Sequence, residues 1–271
     1  MKKYIHSILI FFIVITISNK AYSQLDVSSE VGIVFGVTSF QTDFGIRNDF
    51  PSANAQSMGY GIVHYLKFFG KQYSWRSGST FFSEHFMLKT EFLYLNNTNI
   101  KHENNPTSEI LKNMRGDIKM FNFGNQMEFY FFNIEDYSVS YRDKRAFNPY
   151  LSAGIHYSWY DPEVTSKLGD DWQNFVVNEK YDKWLTPEGA QELGGKHQQT
   201  IFNEPGSTFG VSFGAGVRYS MDYFDLVLDS RWQHFFSDKV DGLDAPNDPA
   251  NKYNDTMVFV NLGIVYTFNN N

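Results

Sequence analysis

Seven charged residues recur along this chain at strand spacing, and bulky apolar residues flank them. They are Lys89, Glu91, Glu128, Arg218, Asp225, Asp229 and Arg231. Because successive side chains of a β-strand point to opposite faces, these charges share the face away from the neighbouring aromatic residues. Charges enclosed on one face must pair or meet water, since an unpaired buried charge is very costly. They predict either structural ion pairs that plug a lumen or an ion-conducting lumen, and we favour the ion pairs.

A segment near the C-terminus is dense in oxygen donors. The carboxylates of Asp238, Asp241, Asp244 and Asp248 surround Gly242, which permits a sharp turn. Oxygen ligands at this density predict a calcium site, although their spacing differs from that of an EF-hand loop. The alternatives are a solvated acidic loop, or a loop that contacts divalent cations bridging lipopolysaccharide. Apart from this calcium ion, we expect no cofactor, and the absence of cysteine excludes a thiolate site.

Motifs for catalysis are sparse. His156 and Ser158 have the spacing that places both on one face of a strand, and they resemble the His/Ser pair of lipid-A deacylase barrels. A serine nucleophile needs an adjacent base and an orienting acid. In those enzymes the pair faces the membrane, whereas the apolar neighbours of His156 and Ser158 direct them toward the lumen. No zinc-protease, P-loop or dinucleotide motif is present, so we expect a protein that is not an enzyme.

The elements that position these side chains are eight alternating segments, each with a bulky apolar face and a face of Gly, Ser and isolated charges. They cover about 30–38, 58–69, 84–96, 118–132, 148–160, 208–221, 223–236 and 258–268. The apolar face carries more aromatic residues than an aqueous surface tolerates. The pattern predicts an all-β fold, a transmembrane antiparallel up-and-down β-barrel whose apolar face meets lipid. Gly and Ser suit the crowded interior of eight strands.

We expect the sheet to close into a barrel, because lipid offers no hydrogen-bond partners to the edges of an open sheet. Four long polar connections are then external, at about 39–57, 97–117, 161–207 and 237–254. The connections at 70–83 and 133–147 are longer than expected for the periplasmic side. Residues 73–76 and 137–141 could form another strand pair, so ten strands is an alternative to eight.

The N-terminal segment 1–23 has the features of a cleaved secretory signal peptide. Lys2 and Lys3 precede an apolar run over 8–17, and a small-residue site ends at Ser23. The alternative, a membrane anchor, needs a longer apolar run. Cleavage leaves a barrel domain over 24–271 and removes three lysines and no acid, so about 20 basic residues face 30 acidic ones. This balance argues against nucleic acid as a partner.

The last segment ends in a pattern that resembles the C-terminal assembly signal of bacterial outer-membrane barrels. A polar residue, a glycine two positions later and a final aromatic residue occupy its places, with a second aromatic before the end. These residues are Asn261, Gly263, Tyr266 and Phe268. The resemblance implies that the barrel-assembly machinery inserts the chain.

Several longer phrases are similar to a family of flavobacterial outer-membrane β-barrel proteins of the Bacteroidota. The most specific is Phe-Ser-Asp-x-Val-Asp-Gly-Leu at 236–243, and others lie at 40–50, 61–66 and 148–154. The resemblance spans nearly the whole mature chain. It implies a Gram-negative outer membrane and a barrel fold, and it implies no activity.

Together these features predict an outer-membrane barrel with a structural or interaction role. Its external loops would contact a partner or an envelope complex, its wall would meet lipid and lipopolysaccharide, and Gly, Ser and ion pairs would plug its lumen. The alternative is a narrow, porin-like channel for small solutes or ions. A third hypothesis is an envelope enzyme that modifies lipid A, in spite of the sparse motifs.

Overall fold

The chain is mostly β-strand over the residues that the computed structural model describes. These are 25–42, 57–70, 80–96, 100–101, 114–134, 147–166, 202–221, 224–244 and 253–267. The strands are β1 (Leu25–Gln41), β2 (Ser57–Gly70), β3 (Phe86–Asn96), β4 (Ile100–Lys101), β5 (Met114–Tyr130), β6 (Phe147–Ser166), β7 (Gly206–Ser220), β8 (Phe224–Phe235) and β9 (Thr256–Thr267). One short helix, α1 (Phe81–His85), precedes β3. Within these ranges, no helix has the length and apolar character needed to cross a membrane.

The sheet closes on itself through β1, which pairs with β2 on one side and β9 on the other. Val34 is opposite Gly61 of β2 and opposite Gly263 of β9. The remaining neighbours follow chain order, with β3 beside β5, and every pairing is antiparallel. β4 is a two-residue strand that pairs with β5 beyond the end of β3. The closed wall therefore has eight strands.

This topology confirms the predicted eight-strand antiparallel barrel. The ten-strand alternative is wrong, because β2 pairs directly with β3 and β5 pairs directly with β6, which leaves no gap for a further pair. The segments proposed for that pair, 73–76 and 137–141, lie outside the described residues. So do the predicted signal peptide 1–23, Asp248 and Phe268.

Several strands are longer than their predicted segments. β5 and β6 remain paired as far as Met114 and Ser166, well past the last residues paired with β3 and β7. The aromatic alternation used for prediction stops near Trp159, whereas the backbone pairing continues through the polar pairs Lys119–Asp161 and Asp117–Glu163. A projecting β5–β6 hairpin results. The outward aromatic alternation does not reveal it, because the apolar residues of this extension, such as Ile118 and Val164, lie on the inner face and polar residues lie on the outer face.

The two faces of the wall differ as the alternation predicts. Large apolar side chains project outward, with Ile155 64% exposed and Ile33 60% exposed. Other outward residues are Phe35, Tyr60, Ile62, Phe92, Phe121, Leu151, Phe209, Phe213, Leu228, Trp232 and Ile264. Polar and charged side chains are buried on the inner face. An apolar exterior around a polar interior is the division of a transmembrane barrel.

Glycines on the inner face leave room for large neighbours. A Cβ added to Gly124 would lie 2.1 Å from Nδ1 of His156, and one added to Gly216 would lie 2.4 Å from the ring of Tyr150. Gly36 approaches β9 so closely that its Cβ would lie 2.1 Å from the carbonyl oxygen of Val260. Large inward side chains therefore occupy the space that a side chain at each of these glycines would need.

Candidate functional site in the barrel interior

Both chain ends of the described barrel, Leu25 and Thr267, lie at one end of the lumen. The connection from β7 to β8 at this end is short, and the backbone N–H of Met221 bonds to the carbonyl oxygen of Phe224. Short turns are typical of the periplasmic side of a membrane barrel, and longer loops of the external side. We call these the inner and outer ends.

An inner ion cluster lies near the inner end. The guanidinium of Arg218 donates to Asp225, with Nε 2.6 Å from Oδ2, and also contacts Glu30. Glu30 in turn pairs with Lys67. Arg218, Glu30 and Asp225 are buried, so each charge takes its stabilisation from its partners and not from bulk water. A cavity of about 10 Å³ beside these residues has room for about one water molecule.

A central ion cluster fills the middle of the lumen. The ammonium of Lys89 lies 2.8 Å from Asp229, 3.5 Å from Glu91 and 3.9 Å from Glu128. Arg231 pairs with Glu91. All five residues are buried, and none is more than 2% exposed. One lysine thus lies near three carboxylates from three strands. Its attraction to them stabilises the packing of β3, β5 and β8 across the lumen.

Tyrosine rings connect the two clusters. The hydroxyl of Tyr130 donates to Oε2 of Glu128 at 2.6 Å, and its ring centroid lies 5.1 Å from that of Tyr150. The guanidinium carbon of Arg218 lies 5.2 Å from the centre of the Tyr65 ring. Cations over aromatic faces are favourable, and more so away from water. The rings fill the cross-section between the charged groups.

All seven predicted lumen charges face inward and belong to these clusters. The seven do not include two further members of the inner ion cluster, Glu30 and Lys67. The alternation could have found Glu30, because it has the same parity as Gly32 and Gly36, and glycine is typical of the predicted inner face. The predicted segment begins at Glu30, whereas β1 begins at Leu25. A residue at the edge of a predicted strand is easily left out when the inward charges are counted.

A layer of neutral polar groups lies outward of the central cluster. His156 bonds through Nδ1 to Asn122 at 3.0 Å and through Nε2 to Ser212 at 2.8 Å. Ser158 Oγ accepts from Gln233 at 3.3 Å. The two residues compared with a deacylase pair are therefore buried in the lumen and bonded to other partners. Their inward orientation agrees with the sequence prediction.

The outer end of the lumen is apolar, a layer that the sequence alternation does not predict. Its buried residues are Phe40, Leu93, Leu95, Ile100, Ile118, Met120, Tyr160, Val164, Phe235, Val240, Leu243, Met257 and Phe259. The predicted plug of Gly, Ser and ion pairs does not include this apolar layer. From Phe92 to Leu95 both faces of β3 are apolar. The aromatic residues mark the outer face, and no polar residue marks the inner one.

Two of these apolar side chains belong to the segment after β8, which folds into the barrel mouth. We call residues 237–244 the plug segment. Val240 and Leu243 are fully buried in it, and Gly242 has a φ of +86°, a left-handed conformation that favours glycine. The carbonyl oxygen of Gly242 accepts from the N–H of Phe202 at 2.8 Å. The plug segment is thereby joined to the external connection that precedes β7.

Carboxylates hold the plug segment through its own backbone. Oδ2 of Asp255 accepts from the N–H groups of Val240 at 3.0 Å and Asp241 at 3.2 Å. Oδ1 of Asp241 accepts from the N–H of Leu243 at 2.7 Å. Hydrogen bonds to charged acceptors are stronger than neutral ones. These two acids shape a buried turn.

The predicted calcium ligands are therefore spread over different environments. Asp241 is fully buried in the plug segment, Asp244 lies 3.9 Å from Lys239, and Asp238 is half-buried. Across the described ranges, no group of three or more His, Cys, Asp or Glu residues is arranged to hold a metal. The fourth ligand, Asp248, lies outside those ranges, and calcium binding stays a prediction.

The assembly-signal residues follow the strand alternation. Asn261 and Gly263 are buried on the inner face of β9, and Tyr266 is 55% exposed on the outer face. Phe268 follows the described part of β9. Their role in insertion stays a prediction.

Comparison with known proteins gives similarities of structure only. No protein-family model matches the chain, and no curated protein matches it. Among solved structures, a major outer membrane protein from Thermus thermophilus is similar with 8% identity and a TM-score of 0.45, over 90% of this chain and 100% of that one. The attachment invasion locus protein Ail of Yersinia pestis has 13% identity and a TM-score of 0.38, over 90% and 99%.

The N-terminal β-barrel domain of Pseudomonas aeruginosa OprF is also similar, with 11% identity and a TM-score of 0.35, over 89% of this chain and 97% of that one. These similarities concern general barrel architecture, which the strand pairing of this chain establishes independently.

The central cluster predicts a large cost for breaking one ion pair. Arg231→Met leaves the buried Glu91 with only the 3.5 Å contact to Lys89, and it should lower the free energy of unfolding by about 3–5 kcal/mol. The double variant Arg231→Met/Glu91→Gln removes both charges and should lose less than the single variant. Urea unfolding in lipid vesicles, followed by tryptophan fluorescence, measures both.

Lys119→Met is the matched control, since Lys119 is an exposed cation on the outer face of β5. It should change stability by less than about 0.5 kcal/mol. A single Arg231→Met variant as stable as the parent would show that the cluster does not hold the barrel together.

Asp255 should control the closure of the plug segment. Asp255→Ala removes the acceptor of two buried N–H groups, and each unpaired group costs about 1–3 kcal/mol. The open form of the segment should therefore become at least about tenfold more populated. Trypsin cleavage after Lys239 in the folded, detergent-solubilised protein, detected by mass spectrometry, measures this opening.

The control for that experiment is Asp244→Ala, which removes the 3.9 Å ion pair with Lys239 and leaves both N–H groups bonded to Asp255. Its cleavage rate should stay close to that of the parent chain. Equal cleavage of the Asp255→Ala and parent proteins would contradict the assignment of Asp255 as the anchor.

Proposed function

We propose that the protein is an integral outer-membrane β-barrel with a structural or interaction role, and that its external segments contact a partner protein or an envelope complex. The signal peptide predicted at 1–23 and the C-terminal assembly signal support export and insertion by the barrel-assembly machinery. The apolar outer face of the wall supports residence in lipid.

The observation that carries this proposal is the filling of the lumen. From the inner end outward, the cross-section holds the inner ion cluster, the tyrosines, the central ion cluster, a neutral polar layer and the apolar layer closed by the plug segment. Side chains such as Lys89, Arg231, Leu93 and Phe259 have no exposed surface. Contacts between the inward side chains stabilise the wall. Because these side chains are buried, a partner would have to bind the outer surfaces of the barrel.

The external end offers those surfaces. The β5–β6 hairpin projects past β3 and β7, and among the connections between described strands the one from β6 to β7 is the longest. Its sequence contains Trp172, Tyr181 and Trp184 among charged residues. Aromatic residues are enriched in protein interfaces, so this connection is the segment we assign to partner contact.

Replacing residues 167–201 by a short Gly/Ser linker tests the proposal. The parent chain and the variant are cross-linked in intact outer membranes, purified in mild detergent and compared by quantitative mass spectrometry. We expect a defined envelope protein to be enriched with the parent and at least about tenfold depleted with the variant, as for the loss of an interface anchor. Both proteins should remain folded, which migration on unheated gels reports.

The control is a Gly/Ser replacement of residues 71–79, between β2 and α1, which should leave partner capture intact. An identical set of captured proteins with all three chains would contradict the proposed role of the external connection. Reproducible conductance of the purified parent protein in planar bilayers would favour the channel alternative instead. Hydrolysis of lipid A that is lost in Ser158→Ala would favour the enzyme hypothesis.

A further inference from the structure

The short helix α1 leads directly into β3 at the inner end of the barrel. Pairing of β2 with β3 ends at Lys67 and Met87, so the helix lies just beyond the last pair of these strands. Its first two residues are large and apolar, and Phe81 is 63% exposed and Phe82 43% exposed. Adjoining exposed apolar groups indicate a surface that contacts another molecule or a membrane.

The rings of α1 pack on the lipid-facing side of the wall. The ring centroid of Phe82 lies 5.1 Å from that of Phe86 and 5.3 Å from that of Phe68. The Phe86 centroid lies 5.3 Å from that of Phe129 on β5. The three strand residues contacted in this way alternate with residues that face the lumen, which are Lys67, Met87 and Glu128. The helix therefore extends the outer face of the wall.

The polar groups of α1 bond within the helix and to the end of β5. A capping box satisfies two backbone N–H groups at the helix N-terminus. The carbonyl oxygen of Glu84 accepts from the N–H of Ile134 at 2.7 Å, and Nδ1 of His85 donates to the carbonyl oxygen of Tyr130 at 2.8 Å. These bonds fix the position of the helix and leave its phenyl rings on the outside.

The outward rings of this region form one continuous surface, which we call the phenyl patch. Its members are Phe68, Phe81, Phe82, Phe86, Phe129 and Phe131. Phenyl rings offer no hydrogen-bond donor or acceptor, whereas a protein interface surrounds its apolar core with a polar rim. The patch also continues the apolar wall without a break, because four of its rings belong to the strands. This chemistry matches lipid.

We propose that α1 is an interfacial anchor that binds the phospholipid leaflet at the inner end of the barrel. Phe81 and Phe82 would lie among the glycerol backbones and the adjoining parts of the acyl chains, as the apolar residues of interfacial helices do. The anchor adds apolar surface beside β2, β3 and β5 only, so it fixes the depth of the barrel from one side. The inference depends on the proposed membrane insertion, and not on the proposed partner role.

Site-directed spin labelling tests the proposal, since the chain has no cysteine. A nitroxide is attached to Phe81→Cys in the full-length protein, which is reconstituted in vesicles of phosphatidylethanolamine and phosphatidylglycerol. Its collision rates with oxygen, which dissolves in acyl chains, and with a water-soluble nickel complex are compared. We expect oxygen collisions to exceed nickel collisions, as at the lipid-facing control Leu228→Cys. Glu163→Cys, on the exposed outer face of the β5–β6 hairpin, should show the reverse.

A second substitution in the labelled chain tests the contribution of the rings. Because the Phe82 ring joins the helix to Phe68 and Phe86, Phe82→Ser should shift the collision ratio at position 81 toward nickel. Phe213→Ser is the matched control, since Phe213 is also an outward ring but lies on β7, away from α1. It should leave the ratio unchanged. Unheated gel migration shows that each variant is folded.

A nickel-accessible label at position 81, in vesicles where the Leu228→Cys label collides mainly with oxygen, would overturn the proposal and leave membrane insertion intact. Nickel access at both positions would contradict insertion as well. An equal shift in Phe82→Ser and Phe213→Ser would show that the ratio does not report on the phenyl patch, and it would also overturn the proposal. If Phe81→Cys does not fold, Phe131→Cys gives the same readout from the strand side of the patch.

Discussion

An eight-strand barrel encloses a space only wide enough for its own side chains, and that limit governs the interior of this protein. Charges placed there cannot be hydrated freely, so they must pair with each other. Lys89 lies within 3.9 Å of three carboxylates, and Arg218 contacts Glu30 and Asp225. Because the partners come from different strands, the ion clusters stabilise the closed wall from inside. On the outer face, apolar side chains suit contact with lipid.

Much of this arrangement is encoded locally and was predictable. Alternation places a side chain inside or outside once its strand is recognised, which is why all seven predicted charges face the lumen. The pairing of those charges is not local: Lys89 and Asp229 are 140 residues apart, and only the closed register brings them to 2.8 Å. The apolar outer layer was missed because Leu93 and Leu95 alternate with Phe92 and Tyr94, so neither face of that run is polar.

The plug segment shows how a composition-based hypothesis can differ from the folded geometry. Its acidic residues predict a solvated or calcium-binding loop, and calcium binding stays a prediction. In the structure, Asp241 and Asp255 are buried and accept backbone N–H groups. The phrase at 236–243 that gave the most specific family resemblance overlaps this segment. Its Val, Gly and Leu positions, Val240, Gly242 and Leu243, supply the apolar contacts and the left-handed turn that close the outer end. With the lumen filled in this way, we propose that recognition takes place outside it.

Single-cysteine labelling tests the central claim, that the lumen is closed by contacts between its own side chains. The chain has no cysteine, so Ser158→Cys places one thiol in the buried polar layer and Ser207→Cys places one on the exposed rim. A charged methanethiosulfonate reagent should modify the folded Ser207→Cys protein readily and the folded Ser158→Cys protein at least about a hundredfold more slowly, until urea unfolds it. Equal labelling rates in the two folded proteins would contradict a closed lumen.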